Sequence, residues 1–132
     1  MPTPPQLFQF ALLVRDYDEA IAWYTRALGW RLIEDTSLTP EKRWVVIGVP
    51  GAIQVLLARA ATEVQAAHIG RPAGPRPWVF RRSTDFEADC ARLAAAGARF
   101  DGAPRSEAYG QVVVFEDLYG NRWDLIGPAR GG

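Results

Sequence analysis

Hydrophobic and polar residues follow two periodicities along the first half of the chain. An apolar run over 7–14, broken only by Gln9, is typical of a buried strand. Apolar residues then recur at helical spacing over 17–28. That stretch lies between Asp16, a favourable N-cap residue, and Gly29, a favourable residue just beyond a helix. Three further strands are predicted at 30–34, 43–49 and 53–57.

The same order of elements returns in the second half. A strand is predicted over 77–80, followed by Thr84 as an N-cap, a helix over 85–96 and Gly97 as its end. At one constant offset, Asp16 falls on Thr84 and Gly29 falls on Gly97. We therefore infer a duplication. The remaining strands of this half are predicted at 98–100, 111–115 and 122–126.

The repeated pattern predicts an α+β fold of two βαβββ modules. The first module spans about 7–58 and the second about 77–128. A linker over 59–76 joins them and contains a short helix near 60–67. One module covers a single face of its sheet with a helix and leaves the other face bare. We expect the two modules to form a partly open, eight-stranded, barrel-like sheet with a central pocket, so that residues 1–132 make one domain.

Composition and charge exclude several classes of partner. Fifteen basic and fifteen acidic residues cancel, and no basic stretch is present, so we expect no binding to nucleic acid or to a membrane surface. No segment approaches the roughly 20 apolar residues that span a bilayer, and the start does not resemble a signal peptide. The one cysteine, Cys90, has no intrachain partner. We therefore expect a cytoplasmic protein.

Three segments carry a family resemblance. They read Gln-Phe-Ala-Leu-Leu-Val-Arg-Asp over 9–16, Ala-Ile-Ala-Trp-Tyr-Thr-Arg-Ala-Leu-Gly over 20–29, and Phe-Glu-Asp-Leu-Tyr-Gly-Asn-Arg-Trp-Asp-Leu over 115–125. Together they resemble the vicinal oxygen chelate superfamily, which includes glyoxalase I, bleomycin- and fosfomycin-resistance proteins and extradiol dioxygenases. The resemblance covers about 7–128 and identifies the chain as a divergent member. It also implies a homodimer.

The resemblance implies four inward-facing ligands for a divalent ion, two from each half. Gln9 and Asp124 match the first and the last of these positions. The other two fall on Val55 and on Pro77 or Trp78, whose side chains cannot ligate a metal. The chain's one histidine lies in the linker. An amide and one carboxylate suit zinc poorly, and extradiol iron requires two histidines and a carboxylate. We predict no bound metal, with Gln9 and Asp124 as the ligands if one is present.

Polar and aromatic residues near the predicted pocket are candidates for ligand binding. Gln9 is the single polar residue in an apolar strand, and a buried amide must be hydrogen-bonded. Of the neighbours Arg81 and Arg82, one can offer a planar donor to a carboxylate or phosphate, and the sequence leaves open which of them faces the pocket. The complete candidate set is Gln9, Trp78, Arg82, Tyr109, Glu116, Trp123 and Asp124.

Our functional hypothesis is a small-molecule-binding protein of the glyoxalase/bleomycin-resistance type, without a complete metal site or another cofactor. The alternative is a metal-dependent lyase or isomerase that acts on a substrate with vicinal oxygens and uses zinc, nickel, manganese or iron. Dioxygenase chemistry is disfavoured, and a subunit without a ligand of its own is a third possibility. The ligand's identity stays open, as does whether the modules pair within one chain or across a dimer.

Overall fold

A computed structural model describes residues 3–128, and within that range the chain forms two sheets and three helices. The first module contains β1 (Gln9–Val14), α1 (Tyr17–Leu28), β2 (Arg31–Ser37), β3 (Arg43–Gly48) and β4 (Gln54–Arg59). The linker contains α2 (Glu63–Ala67). The second module contains β5 (Val79–Arg82), α3 (Phe86–Ala95), β6 (Arg99–Glu107), β7 (Gly110–Glu116) and β8 (Arg122–Ile126).

The two modules have the same strand order. Sheet A runs β1-β4-β3-β2 and sheet B runs β5-β8-β7-β6. In each sheet the first strand pairs parallel with the last, and the other pairs are antiparallel. The predicted α+β fold of two βαβββ modules is therefore confirmed. The sheets remain two separate four-stranded units and are not closed into a barrel.

Helix caps explain where the two long helices begin. The Asp16 side chain accepts from the Glu19 backbone N–H at 2.8 Å, and Gly29 ends α1 with a left-handed φ of 69°, as predicted. The N-cap of α3 is Asp85, which accepts from the Ala88 N–H at 3.2 Å, and the prediction of Thr84 was wrong by one residue. Both residue types cap well, so the sequence pattern alone did not discriminate between neighbours.

Helix α1 is buried on more than one side because both sheets pack around it. Tyr24 and Leu28 of α1 belong to the same hydrophobic cluster as Leu57 of sheet A and Phe115 of sheet B. The Trp23 indole N–H also donates to the Ala96 carbonyl at the end of α3, at 2.9 Å. Since both sheets turn their helix-facing sides toward one core, their other faces point away from each other.

A buried carboxylate, Asp117, ties α1 to the turn between β7 and β8. It accepts from the Tyr24 hydroxyl at 2.6 Å and from the Trp123 indole N–H at 2.9 Å. It also accepts from the Tyr119 and Asn121 backbone N–H groups and from the Asn121 amide. Burial raises the pKa of Asp117, and these hydrogen bonds oppose that rise. No basic side chain is paired with it among the described residues.

Strand β6 is longer than the apolar pattern predicted. It extends to Glu107, and its pairing with β7 shifts register between Asp101 and Arg105. Gly102 lies inside that irregular stretch with a φ of 82°, so a glycine and a following proline interrupt the pattern without ending the strand.

None of the helices described between residues 3 and 128 has the length and apolar character of a membrane span.

The Asp117 network predicts a contrast between two tyrosines. Tyr24→Phe removes a buried donor to a carboxylate, and we expect it to lower the free energy of unfolding by about 2 kcal/mol. Tyr119→Phe removes a half-buried donor to Glu19, and we expect a loss below about 1 kcal/mol. Urea denaturation of both variants tests this, and equal losses would contradict the central role of Asp117.

Candidate functional site

Alternation along the strands gives each sheet one face that packs against helices and one that does not. In sheet B, Trp123 and Leu125 point into the helix-facing core, so Asp124 between them lies on the opposite face. We name this the helix-free face of sheet B. It comprises Phe80, Arg82, Val112, Val114, Glu116, Arg122, Asp124 and Ile126.

Asp124 is the central polar group of that face. In the strand register its neighbours are Phe80 on β5 and Val114 on β7. Its Oδ1 atom is buried and has no hydrogen-bond partner within residues 3–128. Burial raises the pKa of the Asp124 carboxyl, and three nearby guanidinium groups, those of Arg105, Arg76 and Arg122, oppose the rise. A carboxyl group in this state can accept a hydrogen bond from a ligand.

An exposed ring and an arginine adjoin Asp124. Phe80 is 57% exposed on β5, and Arg82 is exposed on the same face two residues later. Arg81 lies on the other face, where it donates to the Leu28 carbonyl at 2.6 Å and approaches Asp89 at 3.9 Å. Burial lowers the pKa of Arg81. Of the two arginines, Arg82 is therefore the one on the helix-free face, and its role in ligand binding stays a prediction.

Glu116 is held by arginines. It lies 3.5 Å from Arg122 and 3.8 Å from Arg99, and Arg122 also pairs with Asp101 on β6. These contacts join β6, β7 and β8 across the helix-free face. A ligand that binds Glu116 must compete with two guanidinium groups for its carboxylate. We therefore place Glu116 at the edge of the candidate site and not at its centre.

Sheet A has a more apolar helix-free face. Gln9 pairs with Gln54 in the register, so both amides lie on this face while Phe10 and Val55 point toward the core. Val55 is therefore not the positional counterpart of Asp124, as the sequence offset had suggested. The turns that precede β4 and β8 have the same length, so Asp124 corresponds to Leu56, and the offset that led to Val55 was one residue too long. A shift of one residue changes which face a strand residue occupies. We name the set Gln9, Ala11, Leu13, Trp44, Val46, Gln54, Leu56 and Ala58 the helix-free face of sheet A.

One end of the sheet A face is recessed into a cleft of about 330 Å³. Trp44, Leu56 and Ala58 line it from the sheet, and Arg43 and Arg59 line its rim. Both guanidinium groups lie over the Tyr17 ring, at 5.1 and 5.7 Å from its centre. Arg43 is further held by Asp35 at 2.6 Å and by Asp18 at 3.0 Å. The cleft combines an apolar floor with a fixed polar rim.

Three other sequence candidates lie in different surroundings. Tyr109 is 59% exposed at the turn between β6 and β7. Trp78 lies at the boundary between the modules, in edge contact with Phe10 and Trp123. Trp123 is only 1% exposed and donates to Asp117, so its ring is a core residue and we remove it from the candidate site. The sequence did not single out Phe80, although strand alternation around Asp124 indicates it.

The residues present do not fit a divalent metal. No group of three or more His, Cys, Asp or Glu side chains comes together within the described part of the chain. Gln9 has a second amide as its register neighbour, whereas Asp124 lies between an aromatic and an aliphatic residue. Zinc and iron sites use imidazole, thiolate and several carboxylates. The predicted lack of a metal stays a prediction.

Comparisons with known proteins identify a family and a similar sequence. The profile of the Glyoxalase/Bleomycin resistance protein/Dioxygenase superfamily matches residues 6–125. An uncharacterized protein of Shewanella frigidimarina (strain NCIMB 400) is 46% identical over 123 residues, which is 91% of each chain.

Solved structures agree with this match. TnmS3, an antibiotic binding protein from Streptomyces sp. CB03234, is 26% identical with a TM-score of 0.75, over 98% of this chain and 100% of its own. UcmS2 is 25% identical with a TM-score of 0.79, over 94% and 98% of the two chains. A glyoxalase/bleomycin resistance protein from Streptomyces sp. CB03234 is 27% identical with a TM-score of 0.68, over 92% and 99%.

The buried Asp124 carboxyl predicts an unusual dependence of stability on pH. Its pKa is raised on folding, so its contribution is favourable below the unfolded value of about 3.9 and is lost as pH rises through the folded value. We expect Asp124→Asn to be as stable as the parent or more stable at pH 7, with the difference vanishing in acid. Thermal unfolding at several pH values measures this.

A matched control for that experiment is Asp101→Asn. Asp101 is more exposed and pairs with Arg122, so we expect its substitution to lower stability slightly at pH 7, the opposite sign. A loss of stability at pH 7 in Asp124→Asn that exceeds the loss in Asp101→Asn would show that Asp124 has a stabilising partner in the folded chain.

Proposed function

This chain belongs to the Glyoxalase/Bleomycin resistance protein/Dioxygenase superfamily, and we propose that it binds and sequesters a small, partly aromatic molecule without a catalytic metal. The observation that carries the proposal is the Asp124 carboxyl, whose buried Oδ1 atom has no hydrogen-bond partner within residues 3–128 and whose register neighbour on β5 is the exposed Phe80. A ring and a nearby acceptor suit a flat ligand that carries a hydroxyl or N–H group. That the relative TnmS3 is an antibiotic binding protein supports a ligand-binding role for this chain.

The site we propose has two walls. Sheet B supplies Phe80, Arg82 and Asp124, and sheet A supplies the apolar cleft of Trp44 and Leu56. Ligand pockets are commonly apolar with a few placed polar groups, and the two faces together have this character. Within one chain these faces point away from each other, so a single chain offers two half-sites.

A homodimer provides the way to complete the pocket. In a two-fold symmetric pair, the sheet A face of one protomer can oppose the sheet B face of its partner, and the reciprocal contact forms a second pocket. The outer strands support this arrangement, because β1 and β5 are sheet edges and leave backbone groups unpaired. Exposed apolar residues, including Leu32, Ile53 and Phe80, add surface that association would bury.

The function is tested with two naphthalene probes that differ in one hydrogen-bond donor. We expect 2-naphthol to bind saturably and to change tryptophan fluorescence, and 2-methoxynaphthalene to bind more weakly. In Asp124→Asn the affinity for 2-naphthol should fall by about tenfold, since the neutral amide oxygen is a weaker acceptor than the carboxylate. Phe80→Ala should also weaken the binding of both probes, because the ring surface that they contact is removed.

Controls for this test separate binding from metal chemistry. Tyr119→Phe changes a hydroxyl that donates to Glu19, outside both faces, and should leave the affinity unchanged. Addition of EDTA should have no effect. If binding requires a divalent ion that is lost in Asp124→Ala, the proposal fails and the lyase or isomerase alternative takes its place. Absence of binding by either probe would also contradict it.

The dimer is a separate prediction. We expect light scattering to give twice the mass of the chain at micromolar concentration. Phe80→Asp places a charge on the face that we propose to be covered, and it should shift the mass toward that of a monomer. Val64→Asp, on the exposed side of α2, is the matched control and should remain dimeric. A monomer in the unsubstituted protein would refute the completed pocket.

A further inference from the structure

A separate cavity lies beside strand β1, beneath the linker. Its volume is about 210 Å³, several times the roughly 30 Å³ that one water occupies in the liquid. Ala11 and Leu13 line it from β1, and the exposed residues His68 and Arg71 line it from the linker. The lining is completed by Leu12, Gly70, Pro72, Trp78 and Asn121. It shares no residue with the proposed sheet B site.

Asn121 lines this cavity and carries a buried acceptor. Its Nδ2 atom donates to both oxygens of Asp117, at 3.0 and 2.9 Å. The reverse orientation of the amide would bring its oxygen against a carboxylate, so Asp117 fixes which atom faces away. The Oδ1 atom is consequently left without a partner within residues 3–128, on a side chain that is 1% exposed. A buried acceptor of this kind requires a donor.

Trp78 also lines the cavity and carries a buried donor. Its ring lies edge-on to two others, with Phe10 at 5.3 Å and Trp123 at 6.4 Å between ring centres. Its Nε1–H group lacks an acceptor among the described residues. Two of the residues that line the cavity therefore carry one unpaired donor and one unpaired acceptor within residues 3–128.

The free edge of β1 adds backbone groups of both kinds. The Phe8 and Val14 carbonyls accept from the Gln54 and Ala60 N–H groups, so the backbone groups of even-numbered residues in β1 bond to β4. Ala11 is odd-numbered, so its N–H and C=O groups point away from β4 toward the open edge of the sheet. Since β1 is the outermost strand of sheet A, this edge borders the cavity.

We propose that this cavity binds a small molecule containing a secondary amide, such as a lactam. The amide carbonyl accepts from Trp78 Nε1, and the amide N–H donates to Asn121 Oδ1. A carboxylate is a poorer match because it has no hydrogen to donate to Oδ1. A hydrocarbon is also poorer because both buried polar atoms would stay unpaired. The cavity shares Ala11 and Leu13 with the helix-free face of sheet A, but its lining includes no residue of the sheet A cleft and none of Phe80, Arg82 and Asp124, so its ligand site is separate from the one proposed above.

The test follows the tryptophan indole N–H signals by two-dimensional NMR of the isotopically labelled native protein. The chain has five tryptophans, and loss of one signal in Trp78→Phe assigns Trp78. Titration with 2-pyrrolidone should shift the Trp78 signal saturably. N-methyl-2-pyrrolidone, which lacks the N–H, should bind at least about fivefold more weakly, because one hydrogen bond is lost.

Controls and contrary results are defined in the same experiment. Trp78→Phe should weaken the binding of 2-pyrrolidone by about fivefold, as followed by the Leu13 backbone amide, whereas Leu38→Ala, at an exposed residue outside the cavity, should not change the affinity. An unmoved Trp78 signal means that only water occupies the cavity and overturns the proposal. Equal affinity for the two lactams also overturns it. If Trp78→Phe does not fold, the lactam pair still decides, with Trp78 assigned by its contacts to Phe10.

Discussion

The Asp117 carboxylate is the interaction on which the joining of the two modules depends. Its acceptor oxygens face Tyr24 from the first module and Trp123, Tyr119 and Asn121 from the second. An unpaired carboxylate in this position would be costly, so its donors are required as a set. The same carboxylate also orients two side chains near the candidate sites. It accepts from Asn121 Nδ2, which fixes the amide beside the small cavity, and from the Trp123 indole, which fixes the ring next to Asp124 on the helix-facing side of β8.

Much of the fold followed from the sequence because local signals agreed with tertiary packing. The caps of α1, the duplicated order of elements and strand β8 were all predicted from periodicity and turn residues. The Thr84 cap was off by one residue, and β6 was predicted too short. The cap error arose where neighbouring residues have similar local preferences, whereas β6 was predicted too short because Gly102 and Pro104 interrupt the apolar pattern without ending the strand.

The site was less predictable than the fold. A strand residue occupies one face or the other according to an offset of a single position. The offset that matched Val55 with Asp124 was one residue too long, because the turns before β4 and β8 have the same length and Asp124 corresponds to Leu56, which lies on the helix-free face. Burial of Trp123 and the outward position of Arg82 depend on contacts with distant residues, which no local pattern contains.

The opposed directions of the two helix-free faces have a consequence for how the protein can change over evolutionary time. Residues on these faces are largely separate from the shared core of helices and inner strand positions. A substitution that alters ligand preference there need not disturb the packing that keeps the chain folded. The duplicated architecture thereby separates the residues under selection for stability from those free to diversify, and each half can diverge at its own rate.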